Sequence, residues 1–235
     1  MIRASLFAVC LSLWAGTAAA CRLALVLAMD VSSSVSDAED ALQRGGLASA
    51  LLAPKVQQAF FATGDPVALA VFEWSGRYNQ LLVQDWVLID SPATLQRVAD
   101  RIASTPRSTT DYPTALGHAL GYASILLTRA PICEAQTVDV SGDGQNNDGF
   151  APADAFGAFP FEAVTVNGLA INVPEDIAAR EGQDDLVTYY TREVIRGPGA
   201  FVEVANGFED FAATMERKLI RELGVRIIGQ VISER

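Results

Sequence analysis

Histidine, cysteine and positive charge are all scarce in this sequence. It has one histidine, His118, three cysteines, and 17 lysines and arginines against 28 aspartates and glutamates. It contains no G-x-S-x-G nucleophile turn, Walker phosphate loop or zinc-type Cys/His spacing, so the sequence signatures of those enzyme and metal classes are missing. The formal net charge of −11 argues against nucleic acids and anionic membranes as partners, because both are bound through clustered positive charge.

Long apolar segments are missing as well. No stretch after the amino terminus reaches the about 18 uninterrupted apolar residues of a membrane-spanning helix. Residues 1–20 combine Arg3, a short apolar run over Leu6–Trp14 and three alanines before Cys21, which is typical of a secretory signal peptide. We therefore expect a signal peptide over 1–20, one domain over 21–235, and a periplasmic or secreted protein without a membrane span.

Hydrophobic residues make up half of the chain, enough for a sizeable core. Strand-like and helix-like segments alternate, which predicts an α/β domain with a mostly parallel, doubly wound sheet and helices on both faces. Gln80–Ile89 follows its neighbour after a short turn and is expected as an antiparallel edge strand. The predicted strands are 23–29, 67–74, 80–89, 136–141, 163–171 and 200–204. The predicted helices are 36–53, 55–62, 93–104, 113–129, 153–159, 184–195 and 208–223, and the tail sequence VRIIGQVI is a further strand candidate.

The first strand carries the most informative motif. Its apolar run, Leu23–Met29, has the composition of a strand buried on both faces and leads into Asp30, Ser32 and Ser34. In open α/β sheets, ligands bind at the carboxyl ends of the strands. A carboxylate and two hydroxyls suit Mg²⁺, Mn²⁺ or Ca²⁺ better than a thiolate-preferring metal. By itself this short string is equally typical of a turn followed by a helix cap.

Two further loops place oxygen-bearing side chains at the same edge of the predicted sheet. The first is the polar loop 105–111, which contains Thr110, and the second contains Asp143. With these additions the chain resembles the von Willebrand factor type A domain family, which includes the inserted domains of integrins. The string Asp30-x-Ser32-x-Ser34 matches the start of that family's metal-ion-dependent adhesion site. Thr110 lies five residues before Ala115-Leu116, the spacing of the family's threonine, and Asp143 follows a strand and precedes a glycine.

The resemblance implies a six-stranded sheet and a non-catalytic, adhesion-type module. It implies metal binding by Asp30, Ser32, Ser34, Thr110 and Asp143, with Mg²⁺ (or Mn²⁺ or Ca²⁺) keeping an open position for an acidic residue of a partner protein. Gly142 stands where the family usually has threonine. The strings VDVSGDGQNND, VNGLAI and VIRGPGAFV are similar to a group of exported bacterial proteins with this fold and no assigned activity.

Cys21 and Cys133 remain if residues 1–20 are removed with Cys10. Cys21 lies nine residues before Asp30, and Cys133 lies ten residues before Asp143. If their strands are parallel neighbours with level acidic ends, the cysteines are level at the other ends and within disulfide reach. We favour this disulfide, which an exported protein permits. Lipid attachment to Cys21 is the alternative, weakened because position 18 is alanine where a lipobox usually has leucine.

Other functions are consistent with the same residues. A metal at this edge also serves hydrolysis or phosphoryl transfer, and a domain that has lost its metal site would act only as a structural partner. His118 lies inside a predicted helix, and we expect it to be structural, with a hydrogen bond to Asp139 as a hypothesis. The loop 143–149 partly matches a calcium-binding loop, but Gln145 and a late glycine break the pattern, so a polar turn is favoured.

Overall fold

The computed structural model describes residues 21–173 and 185–224. In that part of the chain six strands form one sheet in the order β3-β2-β1-β4-β5-β6. All neighbours are parallel except β2 and β3, which are antiparallel. The strands are β1 Cys21–Asp30, β2 Val67–Trp74, β3 Gln80–Ile89, β4 Cys133–Gly142, β5 Val164–Ile171 and β6 Val202–Ala205. The predicted fold class, including the antiparallel edge strand, is confirmed.

Helices cover both faces of this sheet. Their bounds are α1 Asp37–Leu52, α2 Pro54–Phe60, α3 Pro92–Ser104, α4 Leu116–Leu127, α5 Pro152–Ala158, α6 Leu186–Tyr189 and α7 Phe211–Leu223. A π-helical turn, Tyr190–Val194, continues α6, and a 3₁₀ turn, Phe208–Asp210, precedes α7. Residue 184 of the helix predicted over 184–195, the signal peptide predicted over 1–20 and the strand candidate in the tail all lie outside the described residues.

Alternating side chains of the central strands supply two separate cores. Leu25 and Leu27 of β1 pack into a cluster with α1, α3 and α7, whereas Val26 and Ala28 pack into a cluster with α4 and α5. Because both faces are covered, every residue of β2 and β5 is buried. Leu23–Met29 of β1 is buried throughout as well, as its apolar run predicted. None of the helices in residues 21–173 and 185–224 has the length and apolarity needed to cross a bilayer.

The register between β1 and β4 fixes both ends of the sheet. Cys21 lies opposite Cys133, and Met29 lies opposite Ser141, so the residues that follow at the carboxyl edge, Asp30 and Gly142, are level. At the other edge a disulfide joins Cys21 to Cys133 with a Cα–Cα distance of 4.2 Å. The predicted disulfide is therefore confirmed, and a Cys21 sulfur engaged in it is not available for lipid attachment.

Asp139 of β4 does not bond His118, and that hypothesis is wrong. Val138 and Val140 face α4, so the alternation of side chains along a strand directs Asp139 to the opposite face. There it pairs with the buried Lys218 of α7, at 2.8 Å between Oδ1 and Nζ. His118 instead packs its ring against Phe150. The buried carboxylate thus has the partner that its position in an apolar strand requires, but on another helix.

Candidate metal centre

Asp30 is a fully buried acidic group at the carboxyl edge of the sheet. Its side chain is inaccessible to solvent, and Oδ1 accepts a hydrogen bond from the Ser32 amide at 2.8 Å. Oδ2 has no hydrogen-bond partner among the described residues. Burial, reinforced by the charge of Asp143, raises the pKa of Asp30 well above its usual value. A buried carboxylate oxygen without a donor is costly, and a bound cation would satisfy it.

Three hydroxyls and a second carboxylate lie next to Asp30. The Ser34 hydroxyl donates to Asp143 Oδ1 at 2.8 Å, and the hydroxyls of Ser32 and Ser34 are 3.2 Å apart. The Thr114 hydroxyl completes the group at 3.3 Å from Ser32 Oγ. Asp143, Ser32 and Thr114 are buried whereas Ser34 is exposed, so the cluster opens to solvent on the side of Ser34.

The spacing of these oxygens fits a small divalent cation. Neighbouring ligands of an octahedral Mg²⁺ with bonds of about 2.0–2.1 Å are about 3 Å apart. The distances from Ser32 to Ser34, from Ser34 to Asp143 and from Thr114 to Ser32 run from 2.8 to 3.3 Å. No group of three or more His, Cys, Asp and Glu able to hold a metal occurs in the described ranges. A metal at this edge would therefore be bound by three hydroxyls and only two carboxylates.

Thr110, the threonine predicted from the sequence, is not part of this cluster. It is exposed, and its hydroxyl donates to the adjacent Asp111 carboxylate at 3.1 Å. Thr114 supplies the threonine hydroxyl of the cluster instead. It can do so because α4 begins at Leu116, three residues later than the predicted start at Pro113, so Thr114 lies in the loop before the helix. The prediction had placed Thr114 inside the helix and therefore away from the site. The family spacing of five residues before Ala115-Leu116 selected Thr110 instead.

The loop after β4 holds Thr114 in place. The side-chain oxygen of Asn147 accepts a hydrogen bond from the Thr114 amide at 2.9 Å, and the Asn147 amide donates to the Thr114 carbonyl at 2.9 Å. The side-chain oxygen of Asn146 accepts from the Gly117 amide, and Asp148 pairs with Arg77. These oxygens bind protein donors, which favours the polar turn expected from the sequence over a calcium-binding loop, and the loop fixes the entry to α4.

Gly142 has a structural reason to differ from the family's threonine. A Cβ atom added at this position would lie 2.7 Å from the Tyr190 hydroxyl and 2.8 Å from Asp30 Oδ2. Tyr190 is fully buried in the π-helical turn, and its ring passes over Gly168 at a place where a side chain would collide with it. The glycine thus leaves room for a tyrosine beneath the Asp30 carboxylate, a position that the sequence did not reveal.

A family model described as "Protein of unknown function (DUF1194)" matches residues 20–227 of the chain. No curated protein matches the sequence. Solved structures with similar folds include proximal thread matrix protein 1 from the mussel byssus, at 16% identity and a TM-score of 0.62, covering 87% of this chain and 48% of that one. A further structure of that protein is described as having a zinc-occupied MIDAS motif.

Two bacterial proteins of known structure also have a similar fold. A von Willebrand factor type A protein from Catenulispora acidiphila matches at 16% identity with a TM-score of 0.55, covering 87% of this chain and 43% of that one. The pilus adhesin SpaC from Lactobacillus rhamnosus GG matches at 13% identity with a TM-score of 0.60, covering 86% and 30%. The chain spans less than half of each of these proteins. The likeness establishes the von Willebrand factor type A fold, as the sequence resemblance indicated.

Proposed function

We propose a function for this chain, which belongs to the DUF1194 family of proteins of unknown function: it is an exported protein-binding module of the adhesion type that depends on a divalent cation. The convergence of Asp30, Ser32, Ser34, Thr114 and Asp143 at the carboxyl edge of the sheet carries the proposal. Thr114 replaces the predicted Thr110 as the threonine ligand.

Mg²⁺ is the ion that we assign to this site, with Mn²⁺ and Ca²⁺ as alternatives. Uncharged hydroxyls outnumber carboxylates in the cluster, so a bound ion keeps much of its positive charge. Mg²⁺ holds octahedral geometry and retains several waters. The chain's own residues would bind the ion from below and leave the exposed side, near Ser34, to water or to a partner's carboxylate. A zinc-occupied site of this kind is described for the mussel protein.

The surface beside the cluster supports a protein partner. Tyr78 is 96% exposed and Tyr112 is 49% exposed, and both line a groove of about 240 Å³ with Arg77. The Tyr112 carbonyl accepts a hydrogen bond from the Ser33 amide at 2.8 Å. This groove therefore lies next to the loop that carries Ser32 and Ser34. Tyrosine and arginine are enriched in the energetically important parts of protein interfaces. We propose that an acidic residue of the partner reaches the metal while its neighbours contact this groove.

Three observations support the proposal that the protein is exported. Residues 1–20 have the pattern of a signal peptide, and the disulfide between Cys21 and Cys133 suits an oxidising compartment. The structures of similar fold include a pilus adhesin and a protein of the mussel byssus. Detection of the disulfide-bonded protein outside the cytoplasm after cell fractionation tests this assignment, and a reduced cytoplasmic form would contradict it.

We assign no reaction to the site. His118, the histidine available as a general base, packs its ring against Phe150 with centroids 3.9 Å apart. Partial burial and the nearby Arg77 lower the pKa of His118. With Mg²⁺ or Mn²⁺ present, we expect no hydrolysis of bis(p-nitrophenyl) phosphate above the level of the Ser32→Ala variant. Metal-dependent turnover that this substitution removes would instead favour an enzyme.

The metal site is tested by thermal unfolding with and without Mg²⁺, Mn²⁺ and Ca²⁺. A ligand that binds only the folded state raises its stability by about 2.7 kcal/mol at 100 times its dissociation constant. We expect this shift in the wild type and its loss in Asp30→Ala and Ser32→Ala, which should remain folded without metal. Ser124→Ala, which changes a buried serine of α4, is the matched control and should keep the shift. Equal shifts in the wild type and the Ser32→Ala variant would refute the site.

The partner chemistry is tested by selecting peptides from a random library on the immobilised protein, first with Mg²⁺ and then with EDTA. We expect the peptides selected with Mg²⁺ to share an aspartate or glutamate and to be released by EDTA. Selection of peptides without an acidic residue, or binding that survives EDTA, would contradict the proposed mode of binding.

A further inference from the structure

Arg107 lies directly behind the loop that carries the first metal ligands. Its side chain is only 7% exposed. Nη2 donates to two consecutive backbone carbonyls, those of Val31 at 3.0 Å and Ser32 at 2.8 Å. These carbonyls belong to the segment between Asp30 and Ser34, so the guanidinium fixes the path of the backbone that presents the ligands.

A buried ion pair anchors the segment that carries Arg107. The amide of the next residue, Ser108, donates to Glu73 Oε1 at 2.9 Å. Glu73 is inaccessible to solvent, and its other carboxylate oxygen pairs with Arg44 of α1. Arg107 is therefore held from the strand β2 and the helix α1, independently of the metal ligands. Its contact with the exposed Asp37, at 3.4 Å, adds little because such surface pairs are weak.

Arg107 has two opposing effects on a metal ion. Its hydrogen bonds preorganise the loop, which strengthens binding by removing an ordering cost. Its positive charge lies beside the same loop, 3.0 and 2.8 Å from the carbonyls of Val31 and Ser32. The same charge repels a cation. The two effects predict changes of opposite sign in metal affinity when Arg107 is replaced.

We propose that Arg107 is a positioning residue of the metal centre, which holds the Asp30–Ser34 loop in its ligand-binding conformation before the ion arrives. The inference rests on the proposed function, because it concerns the same site. It goes further by assigning a role to a residue outside the ligand set. We expect preorganisation to outweigh repulsion. Two charge-assisted hydrogen bonds act directly on the backbone that carries the ligands, whereas the two carboxylates offset much of the repulsion between the ion and Arg107.

The test is calorimetric titration of Mg²⁺ and Mn²⁺ into the wild type, Arg107→Lys and Arg107→Met. Lysine keeps the charge but is one atom shorter and lacks the guanidinium fork. We expect both variants to bind at least about tenfold more weakly, since hydrogen bonds to charged groups are of that strength. Arg101→Met is the matched control, because Arg101 also donates to a backbone carbonyl, that of Val83, on another part of the sheet.

A second readout is amide hydrogen exchange in the metal-free proteins. We expect the amides of Ser32 and Ser34 to exchange faster in both Arg107 variants and to be unchanged in Arg101→Met. If Arg107→Met fails to fold, the milder Arg107→Lys variant carries the comparison alone.

The outcomes separate this inference from the proposed function. Affinity equal to or tighter than that of the wild type in Arg107→Met would show that repulsion dominates and would overturn the positioning role. Wild-type affinity in Arg107→Lys would do the same, because loss of the guanidinium's paired hydrogen bonds would then leave metal binding unchanged. In both cases metal binding by the wild type, and hence the proposed function, would stand. A wild type that binds neither ion would refute both.

Discussion

At the scale of single residues, Asp139 has an unusual environment for a carboxylate. It is buried on β4, pairs with the buried Lys218, and shares that lysine with Glu222. Burial and, next, the negative charge of Glu222 raise the pKa of Asp139 to about 7. One ammonium thus serves two carboxylates among buried side chains, which favours a bound proton.

This environment predicts a pH-dependent contribution to stability. Because the pKa of Asp139 is raised in the folded state, the folded protein keeps a proton between about pH 4 and 7 that the unfolded chain has lost, so stability falls as pH rises through this window. We expect Asp139→Asn to remove this slope. Its free energy of unfolding relative to the wild type should rise with pH, by at most about 1.4 kcal/mol per pH unit.

Urea unfolding at several pH values between 4.5 and 7.5, with EDTA to exclude metals, measures this difference. Asp100→Asn, which removes an exposed carboxylate of α3, is the control for the change of charge. A wild type and Asp139→Asn variant with parallel stability curves would show that Asp139 ionises at its ordinary pKa.

Thr114 and Thr110 give the sharpest test of the ligand set at this scale. Only the Thr114 hydroxyl reaches the cluster, at 3.3 Å from Ser32 Oγ. Thr114→Val keeps the shape of the side chain, and we expect it to weaken Mg²⁺ binding by at least about tenfold. Thr110→Val is the paired control and should bind as the wild type does in calorimetry. The reverse order of affinities would return the ligand role to Thr110.

At the scale of elements, the loop between β4 and α5 determines where α4 begins. Asn147 makes two hydrogen bonds with the backbone of Thr114. The side chain of Asn146 accepts one from the amide of Gly117, one turn further along the chain. Unpaired backbone groups are normal at a helix start, and here side chains of another loop satisfy them. The loop therefore positions Thr114, a proposed metal ligand, although Asn146 and Asn147 are not proposed as ligands themselves.

Asn147→Ala and Asn146→Ala separate the two roles of this loop. Each substitution leaves a partly buried amide without its partner, and we expect each to destabilise the fold by about 1–3 kcal/mol in urea unfolding. Only Asn147→Ala should also weaken Mg²⁺ binding, because only Asn147 bonds Thr114 itself. Equal losses of affinity in both variants would mean that the loop acts on the site as a whole.

At the scale of the whole molecule, the sheet brings together residues far apart in the chain. Asp30 ends β1, Thr114 precedes α4 and Asp143 follows β4, and the parallel pairing of β1 with β4 makes Asp30 and Asp143 neighbours. At the opposite edge the disulfide closes the same pair of strands across 112 residues. The two features mark opposite ends of one strand pair.

Removal of the disulfide should therefore destabilise the fold and spare the site. We expect Cys21→Ser/Cys133→Ser to lower the free energy of unfolding by about 2–5 kcal/mol, as the loss of native disulfides commonly does. Because the bond lies at the edge away from Asp30, the Mg²⁺ dissociation constant should stay unchanged in calorimetry at a temperature where the variant is folded. A loss of affinity in the folded variant would show that the strand register depends on the disulfide.

Sequence patterns alone predicted the fold class and the strand order along the chain, and they favoured the disulfide. These features depend on local pattern or on spacing within strands, which sequence periodicity records directly. It also predicted Asp30, Ser32, Ser34 and Asp143 at one edge, because residues at the carboxyl ends of adjacent parallel strands must meet.

Three features are visible only in the folded chain: Thr114 rather than Thr110 joins them, Asp139 pairs with Lys218 rather than His118, and Tyr190 and Asp30 both lie against Gly142. The first depends on where α4 begins, which Asn147 sets from a distant loop. The second depends on which helix covers each face of β4. The third depends on a π-helical turn. Each is a contact between segments far apart in the chain, and local propensity carries no information about such contacts.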